Sequence, residues 1–420
     1  MTQGPVATTP APLTRHGNFL KLWSGQSVAL LGYEITEIAL PLAAILVLNA
    51  SAADIGLIGG ARWLPFVLLS LWIGAWCERR RRLPLMVFAD LSRAVLLLAV
   101  VAAALTDLLS MPLLVAAVFL FGALTVLFDV CYATVLVSVV PNEQLVAANG
   151  RLQASASVAQ AGGPGLGGVL VQWLTAPVTL LVQAGGFLVS AGFLSRMRVA
   201  EEVADDGTRP GAVAAVRGGL RAVFGDPLLR SLVCVGAVFN LFSQWVVALF
   251  PLFAVRDLDL NPGLLGLIIS AAAVGGLVGA MVATRLSTML GPGPAIVLSS
   301  AVASVPLILV AFTPDDKAVA VVWLISVFAV AGFGWTIGGI LITSIRQAYT
   351  PRAVLARVNA TYRFLASGLV AVGVFAGGLL GEATTVRTAL LVGGLGSVIA
   401  VIWALSSPVR RLTQLPTTSN

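Results

Sequence analysis

The chain holds 420 residues, of which 58% are apolar and only 10% charged, with a mean hydropathy of +0.99. A soluble domain carries about 45–50% apolar and about 25% charged residues, so this composition excludes a water-solvated fold and implies a bilayer. The net charge of +7 would suit a nucleic-acid binder, but the cations cluster at the ends of apolar runs rather than on one face, which removes that class.

Residues 1–17 are predicted to be a disordered tail, since the first 14 positions are rich in Thr, Pro and Ala. No charged segment leads into a short apolar stretch there, so no cleavable signal is expected. A hydrocarbon core about 30 Å thick needs about 20 apolar residues per helix. Runs of that length fall at 19–48, 55–77, 84–105, 111–139, 145–172 and 176–195, and again at 228–254, 263–284, 293–313, 318–345, 353–381 and 386–406. The expected architecture is an all-α membrane protein of twelve transmembrane helices. They form an N-terminal six-helix bundle (18–196), a polar linker (197–227), a C-terminal six-helix bundle (228–407) and a tail (408–420). Within the linker, the stretch from Arg217 to Arg221 suits an amphipathic surface helix.

The two bundles read as copies of one another. At a constant offset of 210, Pro41 matches Pro251, Gly56 matches Gly266, Pro141 matches Pro351, Asn149 matches Asn359 and Ser157 matches Ser367. Gly163, Gly167 and Gly168 likewise match Gly373, Gly377 and Gly378. Duplicated halves imply a cavity between them that opens alternately to either side.

Lys and Arg stay on the cytoplasmic side of a membrane protein. Lys21, Arg79 to Arg82, Arg151, Arg196, Arg285, Arg346, Arg410 and Arg411 fall on one side of the alternation. Asp54, Asp107, Asp257, Asp259, Asp315, Asp316 and Glu382 fall on the other. Both termini and the linker are therefore expected in the cytoplasm.

Charged groups at bilayer depth are expensive and mark function. Glu34 and Glu37 lie on one face of the first span, because residues three apart are helical neighbours. Two adjacent desolvated carboxylates favour proton uptake, so the pair is a candidate for proton coupling; ion pairing of one or both with Arg62 on the second span is the plain alternative. Asp129 sits near mid-depth in an otherwise apolar fourth span, either as a cavity acid or tied to Arg62 or a helix backbone. Arg62 itself suits a partner for Glu34 or Glu37, a substrate contact, or snorkelling to the headgroups. Asn240 and Gln244, with Ser243, give the seventh span a polar face, and Trp335 and Thr336 offer cavity contacts on the tenth, with simple packing equally open for Trp335.

Several classes are excluded by missing residues. The only lysines are Lys21 and Lys317, and neither follows a glycine-rich phosphate loop, so no ATP-driven motor is encoded. The only histidine, His16, precedes the first span, which leaves no zinc pair and no Ser–His nucleophile inside the membrane. Cys77, Cys131 and Cys234 are too few and scattered for a metal or disulfide framework and read as packing residues. No enzyme activity, cofactor or metal is expected.

Two motifs resemble the major facilitator superfamily. Gly74, Glu78 and Arg79 to Arg82, followed by Asp90 and Arg93 on the third span, resemble the superfamily's loop signature, with Glu78 where Asp is usual and Arg81 where Gly is usual. The resemblance implies that these groups latch the cytoplasmic face. Gly150, Ala159, Gly163, Pro164, Gly167 and Gly168 are similar to the fifth-helix motif of proton-coupled drug exporters, with Ala159 replacing a Gly. Leu31 to Glu34 and Ile38 to Leu42 resemble the macrolide-efflux and enterobactin-exporter branch, with Tyr33 between the glycine and the acid. What the resemblance implies is the major facilitator fold in a bacterial cytoplasmic membrane. It further implies export of a small, partly hydrophobic drug, antibiotic or siderophore, by alternating access and in exchange for protons. Import and a non-transporting scaffold remain as alternatives. The expected partners are the solute, protons and lipid, with no nucleic acid, and a monomer is expected.

Overall fold

The computed structural model describes residues 16–78, 80–141, 144–199 and 212–414, and every described element is helical. The first helices are α1 (Gly17–Val47), α2 (Ala52–Leu68), α3 (Ser70–Glu78), α4 (Arg82–Leu105), α5 (Met111–Val139), α6 (Leu145–Leu174) and α7 (Ala176–Ser195). After them come the short α8 (Ala212–Gly225), then α9 (Pro227–Arg256), α10 (Pro262–Leu290) and α11 (Pro292–Leu309). The chain ends in α12 (Lys317–Tyr349), α13 (Arg352–Ala383) and α14 (Val386–Ser406).

Local chemistry sets these boundaries. Ser51 and Asp54 form a reciprocal capping box at the start of α2. Asp226, Asn261 and Asp316 accept the first free N–H groups of α9, α10 and α12. Proline follows the cap in α9, α10 and α11, where its missing N–H costs nothing.

Among the described residues, ten helices are long and apolar enough to cross a membrane. The second predicted span is carried by α2 and α3, which part at Leu69, four residues after Pro65. Hydrogen bonds from Leu69 N to Pro65 O and from Ile73 N to Leu69 O, both 2.8 Å, cross the joint and keep the two pieces hydrogen-bonded to each other. The fifth predicted span, α6, is long enough at 30 residues, but Asn149, Arg151, Gln153, Gln160 and Gln172 dilute its apolar character. The linker contains α8, which spans the Arg217 to Arg221 stretch and buries Val223 against Leu229, Val233 and Val358.

Helix pairing repeats along the chain. α1 packs on α6 and α7 as α9 packs on α13 and α14, and α4 on α7 as α11 on α14. Two further pairs, α2 with α13 and α6 with α10, join the first seven helices to the rest. At both crossings, glycine faces glycine. A Cβ built on Gly56 would lie 2.9 Å from the Gly378 Cα, and one built on Gly168 would lie 3.1 Å from the Gly266 Cα. Only hydrogen at these positions permits such backbone approach.

The interior divides unevenly along the helix axes. Toward the end bearing Asp54, Asp257 and Asp316, one continuous core joins Ile38, Leu42, Ile55 and Leu180 to Trp245, Leu249, Phe250 and Leu265. Toward the arginine-rich end, there are separate cores: Phe19, Leu22, Met86, Phe128 and Leu194 in one, Leu232, Ile296, Ile345 and Val409 in the other. The first of these cores also takes in Cys77 and Cys131, whose sulfurs are 3.5 Å apart, while Cys234 is half-buried. Val95, Leu120, Val158, Met281 and Val322 point outward, as side chains facing lipid tails do.

Candidate functional site

Two cavities lie along the seam between the two sets of helices. The one nearer the acidic end is about 350 Å³ and takes Glu34 and Glu37 from α1, Arg62 from α2, Pro164 from α6 and Gln244 from α9. Glu37 is one turn beyond Glu34, so both carboxylates reach it from one helix face. Arg62 chooses between them. Its guanidinium pairs with Glu37, donates to the Tyr33 hydroxyl at 2.6 Å, and lies 5.1 Å above the Tyr33 ring. Glu34 makes no hydrogen bond or ion pair among the described residues. It is backed by Gly163 of α6, where any Cβ would collide with the Glu34 side chain. The glycine-rich face of α6 is thus what lets α1 set a carboxylate at the seam.

The larger cavity, about 440 Å³, lies nearer the arginine-rich end. Tyr33 and Trp63 line both cavities and form the partition between them. Asp129 from α5 and Arg363 from α13 stand exposed on its walls, with Arg93 of α4 behind. Arg93 is 11 residues past Arg82, Arg363 is 11 past Arg352, and Asp129 is 10 before Val139. At 1.5 Å per residue all three sit ~15 Å from the arginine-rich end, near mid-depth of a bilayer core about 30 Å thick. Trp63, Phe66, Phe128 and Phe187 supply aromatic wall, and Gln26, Thr125, Gln183 and Ser367 supply polar groups. The space accommodates an amphiphilic small molecule.

The other predicted residues fall in several places. Asn240 and Trp335 line a third, smaller cavity of about 80 Å³ with Ser299, Ser300 and Tyr362, and Trp335 packs edge-on against Phe239 at 5.2 Å. Thr336 turns toward α10, its hydroxyl abutting Gly276, and lines none of these cavities. Of the loop-signature group, Asp90 and Arg93 pair with each other one turn apart on α4. Gly74 has open space around it; Arg79 and the Glu78 side chain lie outside the described residues. In the fifth-helix motif, Gly167 abuts Ile35, Gly168 abuts Pro262 and Gly266, and Ala159 is buried, whereas Gly150 meets nothing within 4 Å.

Sequence reasoning passed over Tyr33, Trp63, Gln183 and Arg363. Arg363 was legible by the same depth argument that singles out Arg62 and Asp129. Tyr33 was not, because a tyrosine in an apolar span carries no sign of the guanidinium it will meet. Among the described residues no cluster of His, Cys, Asp or Glu is placed to hold a metal ion.

A family model described as transmembrane secretion effector matches residues 7–420. The multidrug efflux pump Tap of Mycolicibacterium fortuitum is 26% identical over 96% of this chain and 98% of its own length. The enterobactin exporter EntS of Citrobacter koseri is 27% identical, over 47% of this chain and 46% of the exporter. Among solved structures, a bacterial homologue of the iron transporter ferroportin in its inward-facing state superposes with a TM-score of 0.75, at 15% identity, over 94% of this chain and 99% of the other. The outward-facing state of such a homologue gives 0.57, at 17% identity, over 93% of this chain and 98% of the other.

Proposed function

Since the chain belongs to the transmembrane secretion effectors of the major facilitator superfamily, we propose that it exports a small, partly hydrophobic molecule of drug, antibiotic or siderophore type. The observation that carries this reading is the mid-depth cavity walled from both sets of helices, with Asp129 on one wall and Arg363 on the other. Its support from relatives is the near full-length similarity to an efflux pump.

In this reading the helices form twelve spans in two sets of six, with α2 and α3 sharing one span and α6 crossing as the fifth. The arginine-rich end, both termini and α8 face the cytoplasm of a bacterial inner membrane, and the protein works as a monomer. The 1–17 tail and the 408–420 tail flank bundles 18–196 and 228–407, joined by the 197–227 linker. The fused core at the acidic end and the split cores at the other describe an inward-open state, which the higher TM-score to an inward-facing structure supports.

Alternating access moves the solute outward as the crossings of Gly56 with Gly378 and Gly168 with Gly266 open and the arginine-rich ends close. Protons enter through Glu34, Glu37 and Asp129. Glu34 is the leading carrier because Arg62 is committed to Glu37. A proton on Glu37 would release Arg62 from its partner and loosen the Tyr33 partition. Import of a solute would use the same parts in reverse and is the outcome that the following experiment excludes.

In everted membrane vesicles energised by a proton gradient, the wild-type chain is expected to accumulate a fluorescent hydrophobic dye. Glu34→Gln is expected to lower that uptake about tenfold or more, with Glu37→Gln and Asp129→Asn intermediate. Equal uptake in all three variants would remove proton coupling from these residues; dye loss in place of accumulation would reverse the direction.

A further inference from the structure

The larger cavity presents a pair of opposite charges that no direct contact joins. Arg93 is spoken for: it is 5% exposed, pairs with Asp90, and is flanked by the rings of Phe128 and Phe187, its guanidinium carbon 4.6 and 4.2 Å from their centroids. Asp129 and Arg363 are different. Both are exposed on the cavity wall and come from opposite sides of the seam; Asp129 lies within electrostatic reach of Arg363 and Arg93, yet neither Asp129 nor Arg363 makes a hydrogen bond or ion pair among the described residues. A charge at this depth that no direct contact satisfies is costly unless water or a ligand compensates it.

We propose that this cavity selects an amphoteric aromatic solute, whose cationic group is held by Asp129 and whose carboxylate or phenolate is held by Arg363. The proposal rests on reading the cavity as the substrate site and adds the chemical class of what enters it. A guanidinium grips a planar anion through paired N–H donors. A carboxylate without backbone donors around it suits an ammonium. Trp63 and Phe66, with ring centroids 5.5 Å apart, give the aromatic body of the solute a wall to lie against. A solute with one charge satisfies one wall and strips water from the other. A neutral solute strips both. Selectivity for molecules that carry both charges therefore follows from desolvation as well as attraction.

The test uses the purified full chain in nanodiscs and three probes built on one fluorophore. Nε-dansyl-lysine carries an ammonium and a carboxylate, dansyl cadaverine only the ammonium, and 6-(dansylamino)hexanoic acid only the carboxylate. Wild type is expected to bind dansyl-lysine roughly tenfold tighter than either singly charged probe, the size of one charge-assisted hydrogen bond. Asp129→Asn is expected to erase the advantage over the hexanoic acid, and Arg363→Gln the advantage over cadaverine. The exchanged double variant Asp129→Arg with Arg363→Asp is expected to regain part of the preference, which a folding defect would not. Tighter binding of a singly charged probe, no binding by any of the three, or unchanged ranking in both single variants overturns the proposal. Because binding is read without a gradient, a chain that shows this ranking yet moves nothing in vesicles would defeat the exporter reading and leave the site standing.

Discussion

The two ends of the bundle are built from the same kinds of helix and held by different means. At the acidic end, glycine crossings let α2 meet α13 and α6 meet α10, and apolar side chains from both sets of helices merge into one core. At the arginine-rich end each set keeps its own core, closed by polar groups of its own. In one, Arg346 donates to Asn359 at 2.9 Å and lies 4.0 Å over the Tyr362 ring; nearer mid-depth, behind the other, Asp90 pairs with Arg93. The contrast shows where motion is cheap. Separating the acidic end exposes apolar surface and backbone contacts, whereas closing the other end requires only that two self-sufficient cores approach.

The largest effect is expected from breaking the buried Asp90–Arg93 pair, which holds the first set of helices together independently of the second. Asp90→Ala leaves a guanidinium that is 5% exposed without its counter-charge, a loss of about 3–5 kcal/mol for a buried pair. Thermal unfolding in detergent should fall sharply, and Asp90→Ala combined with Arg93→Leu should recover most of it. A single variant as stable as wild type would show that the pair does not hold this core.

A smaller effect is expected at the glycine crossings. Gly168→Leu drives a side chain into the carbonyl of Pro262 and the backbone of Gly266, an overpacking cost of about 1–3 kcal/mol. That strain falls only on the closed acidic end, so the population shifts toward separation there. Thiol labelling of a cysteine placed at Ile55 should rise several-fold, with little change in the melting temperature. Unchanged labelling would mean that the crossing is not the seal.

The smallest effect concerns the exposed rim of the acidic end, where Lys317 Nζ meets Asp259 Oδ2 at 2.6 Å. The hydrogen bond and charge of Lys317 hold the Asp259 carboxyl below its usual range. A carboxyl depressed in the folded state contributes stability that is present above its unfolded value, about 3.9, and is lost as pH falls through the lower folded value. The melting difference between wild type and Lys317→Ala should therefore be slight near neutrality and vanish in strong acid. A difference that grows on acidification would contradict the pairing.

Much of this layout was legible in the chain. Apolar runs of about 20 residues located every long helix, whereas the caps at Ser51, Asp226, Asn261 and Asp316 emerged only with the structure. The break in the second predicted span was hidden, because Pro65 fits an apolar run as well as any residue until helix geometry is imposed. α6 packs against α1 and α10, and its Gln and Asn residues are what keep it from being among the ten helices apolar enough to cross a membrane.

The sequence by itself determined that the chain is a multi-pass membrane protein and where its helices run, and it shows that positions 210 apart match. It placed Glu34 and Glu37 on one face but could not decide which would meet Arg62, since both lie one turn apart on the same side. Only the tertiary structure gave Glu37 to Arg62, backed Glu34 with Gly163, and set Asp129 opposite Arg363 across open space. The reason is geometric: periodicity fixes a side chain's direction about its own helix axis, while its partners depend on how neighbouring helices are rotated, tilted and spaced by contacts far away in the chain.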